Sequence, residues 1–125
     1  NAASLKQSIS RLPSNKRIIA LCADQATTIR SPEWLHFGQT VSEIALELLD
    51  VIRPEMIFVI GGETVTHFCE LLESDSIEIL GEVASGIPFG CIHGGRLNQH
   101  ILVTKAGGFG QADTLVKILF PESHL

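Results

Sequence analysis

Two short stretches constrain this chain more than any others. In "MIFVIGGETV", residues 56 to 65, an apolar run passes through Gly61 and Gly62 directly into a helical pattern. In "ILVTKAGGFGQADTLVKIL", residues 101 to 119, a second apolar run does the same through Gly107, Gly108 and Gly110. Each reads as strand, glycine turn, helix. A chain with two such corners favours a layered α/β domain, because a helix leaving a strand end packs back onto the sheet.

The remaining patterns agree. Leu5, Ile9 and Leu12 are spaced as on a helix that stops at Pro13. Residues 18 to 22, "IIALC", are apolar without a break and predict a buried strand. Residues 24 to 38 are polar, carry Pro32 and read as a long loop. Val41, Ile44, Ala45, Leu48, Leu49 and Ile52 then mark one face of a helix over 38 to 53, with Pro54 beyond it. Val65, Phe68, Cys69 and Leu72 mark another, starting near Glu63 or Thr64. Three strand-like runs follow, "SIEILGEV", "FGCIHGG" and "HILVTKAGG", and the order suggests a β-meander. A last helix presents Ala112, Leu115, Val116 and Leu119 before Pro121. The expected fold is one α/β domain over 1–125: a mixed sheet flanked by helices, Rossmann-like but without a GxGxxG loop.

The corners also have chemical content. The first N–H groups of a helix lack intrahelical partners and carry partial positive charge. Glycines remove the Cβ atoms that would hold a ligand away, so a phosphate cradle is one reading and a plain turn the other. Thr64 offers a hydroxyl for capping or for a phosphate oxygen. Glu63 argues against phosphate unless it points away, meets a sugar hydroxyl or faces magnesium. At the second corner Lys105 stands ready to neutralise an anion, and Asp113 suits a first helical turn. The lysine precedes the glycines, so this is not a P-loop, and no GxGxxG triplet occurs.

Other chemistry lacks support. Cys22, Cys69 and Cys91 form no CxxC pair and are expected to be reduced, inert thiols, which points to the cytoplasm. His36, His67, His93, His100 and His124 are scattered without zinc-ligand spacing, and no metal site is expected. A net charge of −5 argues against a nucleic-acid partner. No apolar run approaches a membrane span. Glu82, after Gly81, reads as a solvent-facing strand residue or as one that meets a ligand.

The ordered set "FVIGGETVTHFCELL", "ILGEVASGIPFGCIHGG", "ILVTKAGGFGQADTL" resembles the C-terminal nucleotide-binding domain of the four-carbon acid sugar kinase family. The match is strong over 56 to 119 and rests on layout before that. The resemblance implies ATP-dependent phosphorylation of a hydroxyl on a 3-oxo-tetronate, threonate or erythronate. It implies ATP and Mg2+ as cofactors, with Gly61, Gly62, Glu63 and Thr64 as one wall of the nucleotide site. By the same resemblance Gly107, Gly108 and Gly110 would form the other wall, with Lys105 close to phosphate. Gly81 and Glu82 lie in a matched motif with a less direct link to nucleotide. The family's sugar-acid-binding domain and its Ser-Gly-Ser-like segment have no counterpart here. The chain is therefore expected to be a fragment, inactive alone, whose catalytic residues lie elsewhere; a homo-oligomer is compatible. Two alternatives stand beside this one: a non-catalytic nucleotide- or anion-sensing domain, and a domain whose glycine corners serve only as turns.

Overall fold

A computed structural model describes residues 2–13, 18–21 and 37–121. Cys22, His36, His124 and almost all of the expected long loop lie outside the described residues. The elements are α1 (Ala2–Ser10), α2 (Phe37–Leu48), β1 (Met56–Ile60), α3 (Gly62–Leu71), β2 (Ser76–Ala84), β3 (Ile87–His93), β4 (Ile101–Lys105) and α4 (Thr114–Leu119).

The four strands form one sheet in the order β1-β4-β3-β2. β1 and β4 are parallel, whereas β4–β3 and β3–β2 are antiparallel. The fold is thus a mixed-sheet α/β layer. The parallel pair has a direct consequence for function. The C-terminal ends of β1 and β4 are neighbours, so both glycine corners emerge side by side. β2 runs in the same sense, which brings the β2–β3 hairpin tip, Ser85 and Gly86, to that end as well.

Alternation along the strands selects the faces. Ile57, Val59, Leu102, Ile92 and Ile77 point to α2 and α3, where they join Phe68, Leu72 and Leu97 in the core. Ala45, Leu46, Leu49, Val65 and Cys69 supply the helix side. Burying each such large aliphatic or aromatic side chain contributes about 1.5–3 kcal/mol. Met56 lies on the opposite face, beside α4. There a cleft of about 490 Å³ runs between Met56, Val83 and Ala84 on the sheet and Thr114, Ile118 and Leu119 on the helix.

Several local expectations are corrected. Residues 18–21 are in no strand, and Ile18 and Ile19 are exposed. α2 ends at Leu48 rather than near residue 53, passing into a turn in which the N–H of Ile52 still bonds the Leu48 carbonyl at 2.9 Å. α3 begins at Gly62, immediately after its N-cap Gly61. α4 has no buried residue, and Val116 is exposed.

Candidate functional site

The two corners are joined directly. The N–H of Gly61 donates to the Lys105 carbonyl at 2.8 Å, one step beyond the last paired residues, Ile60 and Lys105. The turn after β1 and the glycine loop after β4 therefore form adjacent walls. The structure thus starts the two turns side by side: Gly61, Gly62, Glu63 and Thr64 follow β1, and Gly107, Gly108 and Gly110 follow Lys105 at the end of β4.

The glycines of this site divide into two kinds. Gly61 and Gly110 have φ of 103° and 91°, conformations that L side chains rarely adopt. Their identity follows from the backbone path. Gly62, Gly107 and Gly108 have no positive φ, and a Cβ built on any of them meets nothing within 4 Å. Neither backbone geometry nor packing accounts for glycine at these three positions. They leave bare backbone facing open space.

The donors there can be enumerated. The first intrahelical bond of α3 is from the Val65 N–H to the Gly61 carbonyl at 3.0 Å. Gly62, Glu63 and Thr64 thus have N–H groups that the helix leaves unpaired. In the glycine loop, the Phe109 N–H bonds the Ala106 carbonyl at 3.2 Å, and the Gln111 N–H bonds Thr114 Oγ1 at 2.7 Å. No hydrogen bond from the N–H of Gly107, Gly108 or Gly110 occurs among the described residues. Two groups of free donors therefore flank one ladder end.

The side chains are placed as follows. Lys105 Nζ curls over its own loop, donating to the Ala106 carbonyl at 3.0 Å, with the Gly107 carbonyl at 3.5 Å. Glu63 leans along α3 toward His67, 3.6 Å away and one turn further from the helix start. Its carboxylate thus points away from the unpaired N–H groups. The Thr64 hydroxyl makes no hydrogen bond among the described residues. The Thr64 carbonyl receives the Ser42 hydroxyl at 3.2 Å, a hydroxyl also 2.7 Å from the Gly38 carbonyl. A Cβ on Gly38 would stand 3.3 Å from the Thr64 nitrogen, so the start of α2 is held against the start of α3. The sequence signal for this contact is the i, i+4 pair Gly38 and Ser42, small residues on one face of α2 that the apolar period does not single out.

Gly81 and Glu82 lie apart from the two walls, on the edge strand β2. A Cβ on Gly81 would be 3.0 Å from the Phe89 ring, and Glu82 Oε1 accepts the Gly86 N–H at 3.3 Å. Elsewhere, His93 Nε2 pairs with Glu78 at 2.7 Å, and Cys69 and Cys91 are free thiols. Burial pushes the Cys69 thiol up in pKa, with a hydrogen bond to Ser74 opposing it. Among the described residues, no group of three His, Cys, Asp or Glu side chains is placed to hold a metal ion, and no helix is long and apolar enough to cross a membrane.

Comparison with known proteins gives the site its context. The nucleotide-binding C-terminal domain family matches residues 5–115. A D-threonate kinase of Bordetella bronchiseptica is 31% identical over 80 residues, 64% of this chain and 20% of the kinase. A D-threonate kinase of Salmonella typhimurium is 26% identical over 111 residues, 89% of this chain and 26% of that enzyme. The chain thus spans about a quarter or less of the length of these relatives. Among solved structures, a Bordetella bronchiseptica protein, crystallised as a domain-swapped dimer with bound citrate, superposes with a TM-score of 0.78 at 23% identity. That superposition covers 93% of this chain and 28% of the other. A Haemophilus influenzae protein superposes with a TM-score of 0.68 at 19% identity, over 94% and 30% of the respective chains. These likenesses carry the fold, and the family match carries the assignment. The chain belongs to the nucleotide-binding C-terminal domain family of the four-carbon acid sugar kinases.

Proposed function

We propose that this chain is the ATP-binding part of a kinase that phosphorylates a hydroxyl of a four-carbon sugar acid. The observation that carries the reading is the open glycine backbone at Gly62, Gly107 and Gly108. A Cβ built on any of them meets no atom within 4 Å, so the backbone there stays open to a ligand. Unpaired N–H groups at the α3 start and in the glycine loop suit the oxygens of a polyphosphate.

ATP supplies the transferable phosphoryl group, and Mg2+ accompanies it as the counterion of its phosphates. The work of the chain is positioning and charge stabilisation, which phosphoryl transfer chiefly demands. Gly62, Glu63 and Thr64 offer amides from one side, and Gly107, Gly108 and Gly110 from the other. Lys105 turns its ammonium from the loop carbonyls to a phosphate oxygen. In this reading the sugar acid and the base that activates its hydroxyl belong to another part of the enzyme. The names of the D-threonate kinases favour threonate or a close analogue as acceptor.

The test is a calorimetric titration of the full-length protein with Mg-ATP, followed by a phosphorylation assay over D-threonate, erythronate and 3-oxo-tetronate. Saturable Mg-ATP binding with turnover of one of these acids is expected. No binding of Mg-ATP would remove the reading.

A further inference from the structure

We propose that Phe109 is the positioning residue of the glycine loop, and that its seat is Gly86 at the tip of the β2–β3 hairpin. The proposal rests on the nucleotide reading and deepens it. Gly107 and Gly108 have nothing to pack with, and their amides make no internal bond among the described residues. A loop built so would scatter its N–H directions and lose the ordering entropy again whenever a ligand bound. One bulky side chain stands among these glycines, that of Phe109.

Its ring reaches across to the hairpin tip. A Cβ built on Gly86 would stand 2.7 Å from Phe109 Cε1 and 3.3 Å from Cε2, with Cζ nearer still. Gly86 has φ +76°, and its N–H is held by Glu82 Oε1 at 3.3 Å. The contacts form a chain: the Glu82 carboxylate fixes the turn, the turn offers bare backbone at Gly86, and the Phe109 ring rests on it. Phe109 is 44% exposed, so core burial does not account for its place. It pins the middle of the loop and aims the amides on either side. Glu82 thereby serves the site through Gly86, without touching a ligand.

The experiment uses the full-length protein and four variants: Phe109→Ala, Phe109→Tyr, Gly86→Ala and the double variant Gly86→Ala/Phe109→Ala. Two quantities are read: hydrogen exchange of the 106–111 amides without ligand, and Mg-ATP affinity. Phe109→Ala is expected to speed exchange and to weaken Mg-ATP about ten-fold, a cost of lost preorganisation. Phe109→Tyr keeps the ring and is expected to behave as wild type. Gly86→Ala displaces the ring and is expected to mimic Phe109→Ala, with the double variant no weaker than about the worse single one, as coupled neighbours are. Thermal unfolding of each variant separates loss of fold from loss of loop order. Unchanged exchange in Phe109→Ala overturns the proposal. So does unchanged Mg-ATP affinity in that variant beside a wild type that binds. A wild type that binds no Mg-ATP removes the nucleotide reading itself, a distinct result that takes this proposal with it.

Discussion

The N–H of Gly61 bonds the carbonyl of Lys105 at 2.8 Å, so the last rung of the β1–β4 ladder is also the join between the two halves of the site. Parallel pairing sets this relationship. In an antiparallel pair the strand ends that lead into the two turns would lie at opposite ends of the sheet.

The open space at Gly108 separates binding from folding. A Cβ there meets no atom within 4 Å, so the stability of Gly108→Val is expected to stay within about 1 kcal/mol of wild type, as for surface changes. In the nucleotide reading, its isopropyl group adds bulk where the loop backbone meets phosphate. Mg-ATP affinity is expected to fall more than about ten-fold, or about 1.4 kcal/mol. Calorimetry paired with thermal unfolding checks both. A stable variant with undiminished affinity would show the glycine loop to be only a turn.

Gly61 and Gly62 are adjacent, and alanine is expected to act oppositely at the two. At Gly61, with φ 103° and ψ 123°, alanine forces a backbone region that costs about 1–3 kcal/mol. At Gly62 the helix has begun and nothing is near, so alanine is expected to be neutral or to stabilise by up to about 1 kcal/mol. Urea unfolding of both variants measures the contrast. Equal destabilisation would mean that the turn has a different backbone path.

Ser42 is 1% exposed and its hydroxyl serves the carbonyls of Gly38 and Thr64. Ser42→Ala is expected to lower stability by about 1 kcal/mol, the net value of such a bond. It should also loosen the start of α3, seen as faster amide exchange at residues 62–65. A variant as stable as wild type would deny the bond its role.

Asp50, in the turn after α2, ties α1 to the β3–β4 connection, accepting from Lys6 at 2.9 Å and Arg96 at 2.8 Å. The bond to Lys6, then that to Arg96, holds its carboxyl below the ordinary 3.8. A lowered native pKa contributes stability above 3.8 that is lost as pH falls through the native value. Melting temperatures of wild type and Asp50→Asn are therefore expected to differ at neutral pH and to converge below about 3.8, with added salt shrinking the gap. A gap independent of pH would assign the effect to packing.

The sequence was most legible where a pattern had a single structural solution. The apolar run Ile57–Ile60 is followed at once by glycine and a 3.6-residue period, and that corner is the expected strand, glycine turn and helix, with the helix starting a residue early. The short apolar run at 18–21 was ambiguous, since burial depends on a partner face that periodicity does not reveal. Ile18 and Ile19 are exposed. Within the site, the cluster of glycines was visible but its division was not. Whether Gly110 serves conformation and Gly108 serves access depends on φ and on neighbours in space. The Phe109–Gly86 contact spans 23 positions and two strands, beyond the reach of local spacing.

A ladder rung shared by both walls also limits how the site can breathe. Two walls that hang from neighbouring parallel strands cannot part like jaws without breaking the sheet. The sheet therefore sets the separation of the two turns as a fixed length, a gauge and not a hinge.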